Sequence, residues 1–206
     1  MNWIERMYEI KGKDLYSQNG EGLLLEYVFH SIFNAIYEGQ TFIDIGAGDG
    51  FILSNTKHLI HIGFTGRQLD KIGGQFITRE NILKFYDKST IISIDTDGND
   101  YWILDTMLTE HKAPIVIAEF NPAFTDSRTI KYNHDHVWAG DDYYGFSFEA
   151  GKKLAERHGY TIIFNVANMN LIMVRNDLIE GLTVPLVTYD VNEFFRKSNR
   201  TDWVTI

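Results

Sequence analysis

Apolar residues recur along this chain in two rhythms. Over residues 23–36 they fall at helical spacing, with Leu24, Val28, Ile32 and Ala35 sharing a face. Elsewhere they come in short unbroken runs that end in polar turns, the form of strands buried on both faces. Such runs predict strands over Thr41–Ile45 and residues 66–70, 91–95 and 114–119. Helical patterns lie between them, over residues 54–62, 79–86, 101–109 and 145–158. Residues 160–166 and 170–174 flank Ala167-Asn168-Met169 closely enough to predict an antiparallel hairpin. Residues 121–144 are long, polar and aromatic, as a functional loop or lid is. Residues 175–206 show no period.

Strands alternating with helices imply an α/β fold: an open, mostly parallel, Rossmann-like sheet closed by a C-terminal antiparallel hairpin. A chain of 206 residues holds one core and is short for two. The expectation is a single domain over 1–206, with its core over 14–176 and an extension over 177–206. Ligands of such sheets collect beyond the carboxyl ends of the strands. Asp44, Asp70, Asp95 and Glu119 all fall at those ends and are expected to line one edge.

Composition narrows the function classes. The net charge of −9, without a basic run, argues against a phosphate-backbone binder. The absence of cysteine removes disulfides and thiolate metal sites. The first residues carry charges where a signal peptide needs an apolar core, and no run reaches the length of a membrane span. The expectation is a cytoplasmic protein with no membrane partner.

The densest chemistry follows the first strand. Gly46, Gly48 and Gly50 remove Cβ atoms that would hold a ligand off the backbone, and they allow positive φ. The spacing is Gly-x-Gly-x-Gly, not that of dinucleotide folds, and no P-loop Lys-Ser/Thr follows. Asp44 is expected at the mouth of this turn. Asp95, Asp97, Asn99 and Asp100 follow one strand and Glu119 and Asn121 the next, an oxygen-rich set suited to Mg²⁺ or a similar hard cation. The same Asp-Gly-Asn-Asp run is also a good helix cap. His134 and His136, two positions apart, would point the same way on an extended loop and could serve as bases or as ligands for a transition metal; a solvated loop pair is the alternative. Phe124, Tyr132, Trp138, Tyr143 and Tyr144 load that loop with rings, fit either to hold a sugar or planar acceptor or to pin the loop down.

Five motifs in order carry a family resemblance: Tyr16-Ser-Gln-Asn-Gly-Glu21; Phe42-Ile-Asp-Ile-Gly-Ala-Gly-Asp-Gly50 with Ser54-Asn-Thr56; Gly63-Phe-Thr-Gly-Arg-Gln-Leu-Asp70; Ile92-Ser-Ile-Asp-Thr-Asp-Gly-Asn-Asp-Tyr-Trp102; and Ile117-Ala-Glu-Phe-Asn-Pro122. The chain resembles the class I S-adenosylmethionine-dependent methyltransferases, closest to the FkbM-type branch. The resemblance implies that Gln18, Asp44, Gly46, Ala47, Gly48, Asn55, Asp70 and Asp95 surround S-adenosylmethionine. The glycine turn would wrap its methionine part and Asp70 would accept from the ribose hydroxyls. Residues 71–90 are too few for the helix, strand and second helix usual in this family. Either the strand near Phe76 and Ile77 is displaced or absent, or a tight turn at Gly73-Gly74 replaces a helix. That interval normally builds the adenine pocket.

Methyl transfer to oxygen needs a positioned nucleophile activated by a base or by a cation. Catalytic candidates are His134, His136 and Asp97. Metal candidates are Asp95, Asp97, Glu119 and Asn121, a layout similar to catechol-type O-methyltransferases. The expected activity is O-methylation of a small molecule or glycan. Two other readings stay open: a non-catalytic cofactor-binding or partner domain, and an N-directed enzyme. A nucleic-acid acceptor is disfavoured by charge, and Asn121-Pro-Ala-Phe124 lacks the second proline of amino-group methylators.

Overall fold

The computed structural model describes the chain except residues 11–13, 35–36, 73–74, 87 and 193–195. Helix α1 (Trp3–Met7) opens on a capping box, in which Asn2 and Glu5 each accept from the other's main-chain N–H. Helix α2 (Glu21–Phe33) leads to strand β1 (Thr41–Ile45), helix α3 (Lys57–Ile62) and strand β2 (Thr65–Leu69). The short strands β3 (Lys71–Ile72) and β4 (Gln75–Phe76) precede β5 (Ile91–Ile94), helix α4 (Asp100–Glu110) and β6 (Ile115–Glu119). Then follow β7 (Arg128–Thr129), helix α5 (Phe148–His158), β8 (Tyr160–Val166), β9 (Asn170–Arg175) and, near the end, β10 (Val204–Thr205).

The main sheet runs β2-β1-β5-β6-β9-β8. The first four strands are parallel, and β9 and β8 add the antiparallel closing hairpin. Alternation along the strands sorts the core into two layers. Ile43, Ile45, Ile92, Ile94, Val116 and Ala118 meet Leu104 and Met107 of α4 and Leu154 of α5. Phe42, Ile91, Ile115, Ile117, Ile172 and Val174 meet α1, α2 and Leu59 of α3 on the other side. Apart from the buried Asp44 and Ser93, these runs are apolar because both faces are covered. The arrangement is an open Rossmann-like α/β sheet, reduced between β2 and β5. Among the described residues no helix is long and apolar enough to cross a membrane.

The reduction resolves as a displaced strand. Gln75–Phe76 pairs only with Lys71–Ile72, outside the main sheet; the turn expected at Gly73-Gly74 lies outside the described residues. The helix expected over 79–86 is only a 3₁₀ turn, Ile82–Lys84. Asn81 explains it: its side chain accepts from Thr78 N and donates to Phe76 O, holding the backbone in a turn. Two more helices start late. α3 begins at Lys57 because Ser54 and Thr56 spend their side chains in a turn network, and α5 begins at Phe148, capped by Ser147. α2 starts at Glu21 and ends at Phe33; Ala35 lies outside the described residues.

Candidate active site at the carboxyl edge of the sheet

Ile45, Ile94, Ala118 and Leu171 are successive partners across four strands. One residue further along stand Gly46, Asp95, Glu119 and Asn170, a row of glycine, acid, acid and amide. Asp95 N donates to Ile45 O at 2.9 Å, and Glu119 pairs directly with Asn170. The strands thus bring together residues far apart in sequence, and they do so by register alone.

The glycine end of the row is shaped by contact. Gly46 sits at φ +87°, and a Cβ there would lie 1.6 Å from Asp95 O, so no side chain fits between β1 and β5. Gly48, at φ +56°, has nothing within 4 Å of that position and faces open space. Ala47 is half-buried, and Asp70 is exposed just past β2, whose Leu69 carbonyl accepts from Gly46 N at 2.7 Å. Gln18 is exposed in the turn before α2.

Asp44 is not at the mouth of the turn. It points toward α3, 3% exposed, and accepts from Thr56 Oγ1 at 2.7 Å and from Ser93. Burial drives its pKa up, against those hydrogen bonds. Asn55, also buried, donates weakly to Ser93 at 3.4 Å. Gln68 reaches Gly50 O, Ser54 and Thr56 from β2. This network fixes the glycine turn from beneath. The strand-end position was legible, but the alternation of side chains sends Asp44 to the α3 face.

The acid end is anionic and tight. Asp95, Asp97 and Glu119 each offer an oxygen within 4.8 Å of the others. Burial raises Asp97 to about 6, with Asp100 adding to it. Burial also raises Asp95 and Glu119, and the neighbouring acids push them further. The two carboxyls hydrogen-bond each other, so one holds a proton; the more deeply buried Glu119 is the donor. Its Oε2 is buried without a partner. Asp100, fully buried, accepts from Thr96 N and Gly98 N and so caps the loop from within. Asp97 occupies the left-handed region at φ +52°.

Three expected site residues fall elsewhere. Asn121 is fully buried with its amide spent: Nδ2 donates to Asp142 O and Tyr144 O, and Oδ1 accepts from Ala123 N. It anchors the loop, and its one side-chain oxygen already accepts a main-chain hydrogen bond. His134 and His136 do not share a site, because a turn, not extended chain, joins them, with His136 N donating to Asn133 O. His134 is exposed and pairs with Asp135 at 2.9 Å. His136 turns inward against Gly98, whose Cβ would lie 2.5 Å from its ring. Burial lowers the His136 pKa, and its ring bonds the Asp97 main chain while Nε2 stays buried and unpartnered.

Two cavities adjoin these residues. The larger, 680 Å³, lies between Phe76, Thr78, Asn81 and Lys84 on one side and His134 and Asp135 on the other. The smaller, 230 Å³, has Asp97 and Glu119 beside Trp138 and Tyr144, with Met169, Asn168 and Asn192. Two of the three clustered acids, Asp97 and Glu119, border the smaller one. The loop aromatics divide accordingly: Trp138 and Tyr144 line it, while Phe124 and Tyr143 pack on Trp203 and Tyr132 bonds Glu80. Asn170, Asn168 and Asn192 were not singled out from sequence. Only the hairpin register opposite Glu119 could have pointed to the first of them.

The sheet is Rossmann-like in strand order, and a cluster of three acids stands at its carboxyl edge. No family model and no curated protein matches the chain. Among solved structures, one from Lactococcus lactis, provisionally named a hemolysin, is similar at 15% identity and a TM-score of 0.45, over 79% of this chain and 90% of that one. The pyocyanin biosynthetic protein PhzM is similar at 13% identity and a TM-score of 0.37, over 85% of this chain and 62% of that one.

Proposed function

We propose that the chain transfers a methyl group from S-adenosylmethionine to a hydroxyl oxygen of a small molecule or glycan, assisted by Mg²⁺ or a similar divalent cation. The observation that carries this reading is the row of Gly46, Asp95 and Glu119, with open space above Gly48 and an acid-lined cavity beside it. A turn that excludes side chains where two strands meet, yet leaves room one step out, fits the methionine part of the cofactor. Asp70 is exposed just past the end of β2 and would accept from vicinal ribose hydroxyls. The order of the five sequence motifs supports the FkbM-type branch. The 680 Å³ cavity beside the shortened interval is large enough for the nucleobase.

The bound cofactor supplies an electrophilic methyl group. The chain's own residues hold the acceptor in line and prepare its oxygen. Three carboxylates converging within 4.8 Å suit a hard divalent cation, which would lower the pKa of an acceptor hydroxyl. In the alternative route without a cation, Asp97, whose pKa burial and Asp100 raise to about 6, would instead take the hydroxyl proton as a general base. Tyr144 and Trp138 wall the acceptor space.

Calorimetry with S-adenosylhomocysteine tests the cofactor part, and repetition after chelation tests the cation. Saturable binding together with methylation of a member of a hydroxyl-compound library supports the proposal. Binding without any methylation would favour a non-catalytic cofactor-binding domain, and methylation of amines alone would favour an N-directed enzyme.

A further inference from the structure

Glu119 and Asn170 are direct partners in the β6–β9 ladder, so their side chains leave the same face of the sheet side by side. That is the α2 face, shared with Ile117 and Ile172 two residues away. Asn170 is 4% exposed and Glu119 9%. Each keeps one buried oxygen without a partner, Oδ1 on Asn170 and Oε2 on Glu119. Two adjacent buried acceptors with no donor between them are costly unless something positive or protic lies there.

The orientation of the Asn170 amide is settled by chemistry. Its Nδ2 donates to Glu21 Oε1 at 3.3 Å, in a buried contact. Glu21 is fully buried at the start of α2 and also accepts from Asn19 N and Asn19 Nδ2. A carboxylate accepts only, so the amide nitrogen must face Glu21 and the oxygen must face away from it. We infer that Asn170, not Asn121, supplies the amide oxygen of the divalent-cation site formed with Asp95, Asp97 and Glu119, and that Glu21 is the positioning residue that turns this oxygen toward the cation. The inference rests on the cation reading above. The set is three carboxylates and one amide oxygen, all hard ligands, drawn from the ends of β5, β6 and β9. An outer carboxylate gripping the far side of a ligand is a common support for such sites. It also gives the Tyr16–Glu21 motif a purpose: the turn that carries Gln18 locks α2 against the hairpin.

The test is Mn²⁺ binding followed by electron paramagnetic resonance on the full chain, with thermal melting in chelator as the check on folding. Wild type should bind a single Mn²⁺. Asn170→Ala should weaken binding about 10- to 100-fold, and Glu21→Gln about 10-fold, because a glutamine lets the amide flip. Asn170→Asp, which keeps an oxygen ligand, should restore affinity. Should Asn170→Ala unfold in chelator, the Glu21→Gln and Asn170→Asp comparison decides. Unchanged Mn²⁺ affinity in Asn170→Ala and Glu21→Gln overturns the inference and leaves the three-acid site standing. No Mn²⁺ bound by wild type overturns the cation reading itself, and the inference with it.

Discussion

Gly46 and Gly48 lie two positions apart and answer to different constraints. At Gly46 an added methyl would meet the Asp95 carbonyl at 1.6 Å, and β1 and β5 would have to part. Gly46→Ala should cost upwards of about 3 kcal/mol in chemical denaturation, as severe overpacking does. Gly48→Ala meets no atom and should cost only the left-handed backbone penalty, about 1–2 kcal/mol, while Gly48→Val should weaken binding of S-adenosylhomocysteine far more than it lowers stability. The acids make a second forecast. Asp97 binds its proton more tightly folded than unfolded, with a pKa raised from 3.8 to about 6 by burial and by Asp100. Its share of stability is therefore present below about pH 4 and is lost as pH climbs to about 6. In chelator, Asp97→Asn should match wild type in melting temperature near pH 4 and exceed it at pH 7; equal melting at both values would refute the assignment. Side-chain direction is also where the sequence was least informative. Asp95, Asp97 and Glu119 converge as their strand-end positions implied, yet Asp44 and Asn121 turned to structural bonds, which only alternation and loop packing decide.

Strands were legible at the element scale because a two-sided burial leaves unbroken apolar runs, and β1 and β8 match their expected limits. Helix starts were harder, since Ser54, Thr56 and Ser147 serve as turn and cap residues where the apolar period alone suggests helix. The last thirty residues hid their role because they pack by contacts without a period. Asn168 clamps Asp190 through two side-chain bonds, Asn192 N donates to Pro122 O, and Ser198 N donates to Asp142. Trp203 then wedges between Phe124 and Tyr143, with the Arg128 guanidinium over its own ring and that of Arg200 over Tyr143, and β10 pairs with β7. This strap fixes the loop that bears Trp138 and Tyr144. Trp203→Ala removes two ring pairs and should cost about 2 kcal/mol. Limited proteolysis should then cut first between Asn121 and Tyr144; cleavage elsewhere, with that loop intact, would show that the strap does not hold it.

At the scale of the whole molecule, a ligand held by the ends of four strands should stabilise the sheet cooperatively. S-adenosylhomocysteine at a hundred times its dissociation constant should raise the unfolding free energy by about 2.7 kcal/mol, visible as a shift in melting that Asp70→Ala reduces. The same sheet has a margin set by its missing strand. With Gln75–Phe76 displaced, β2 is the outermost strand, its first three residues exposed and paired on one side only by β1. Arg67 at its centre, reaching Phe85 O, is the charge on that open rim. Charged side chains discourage a neighbouring molecule from docking a strand there. Replacing Arg67 by valine removes that deterrent, and light scattering should then record growth of edge-joined assemblies from a protein whose individual copies remain folded.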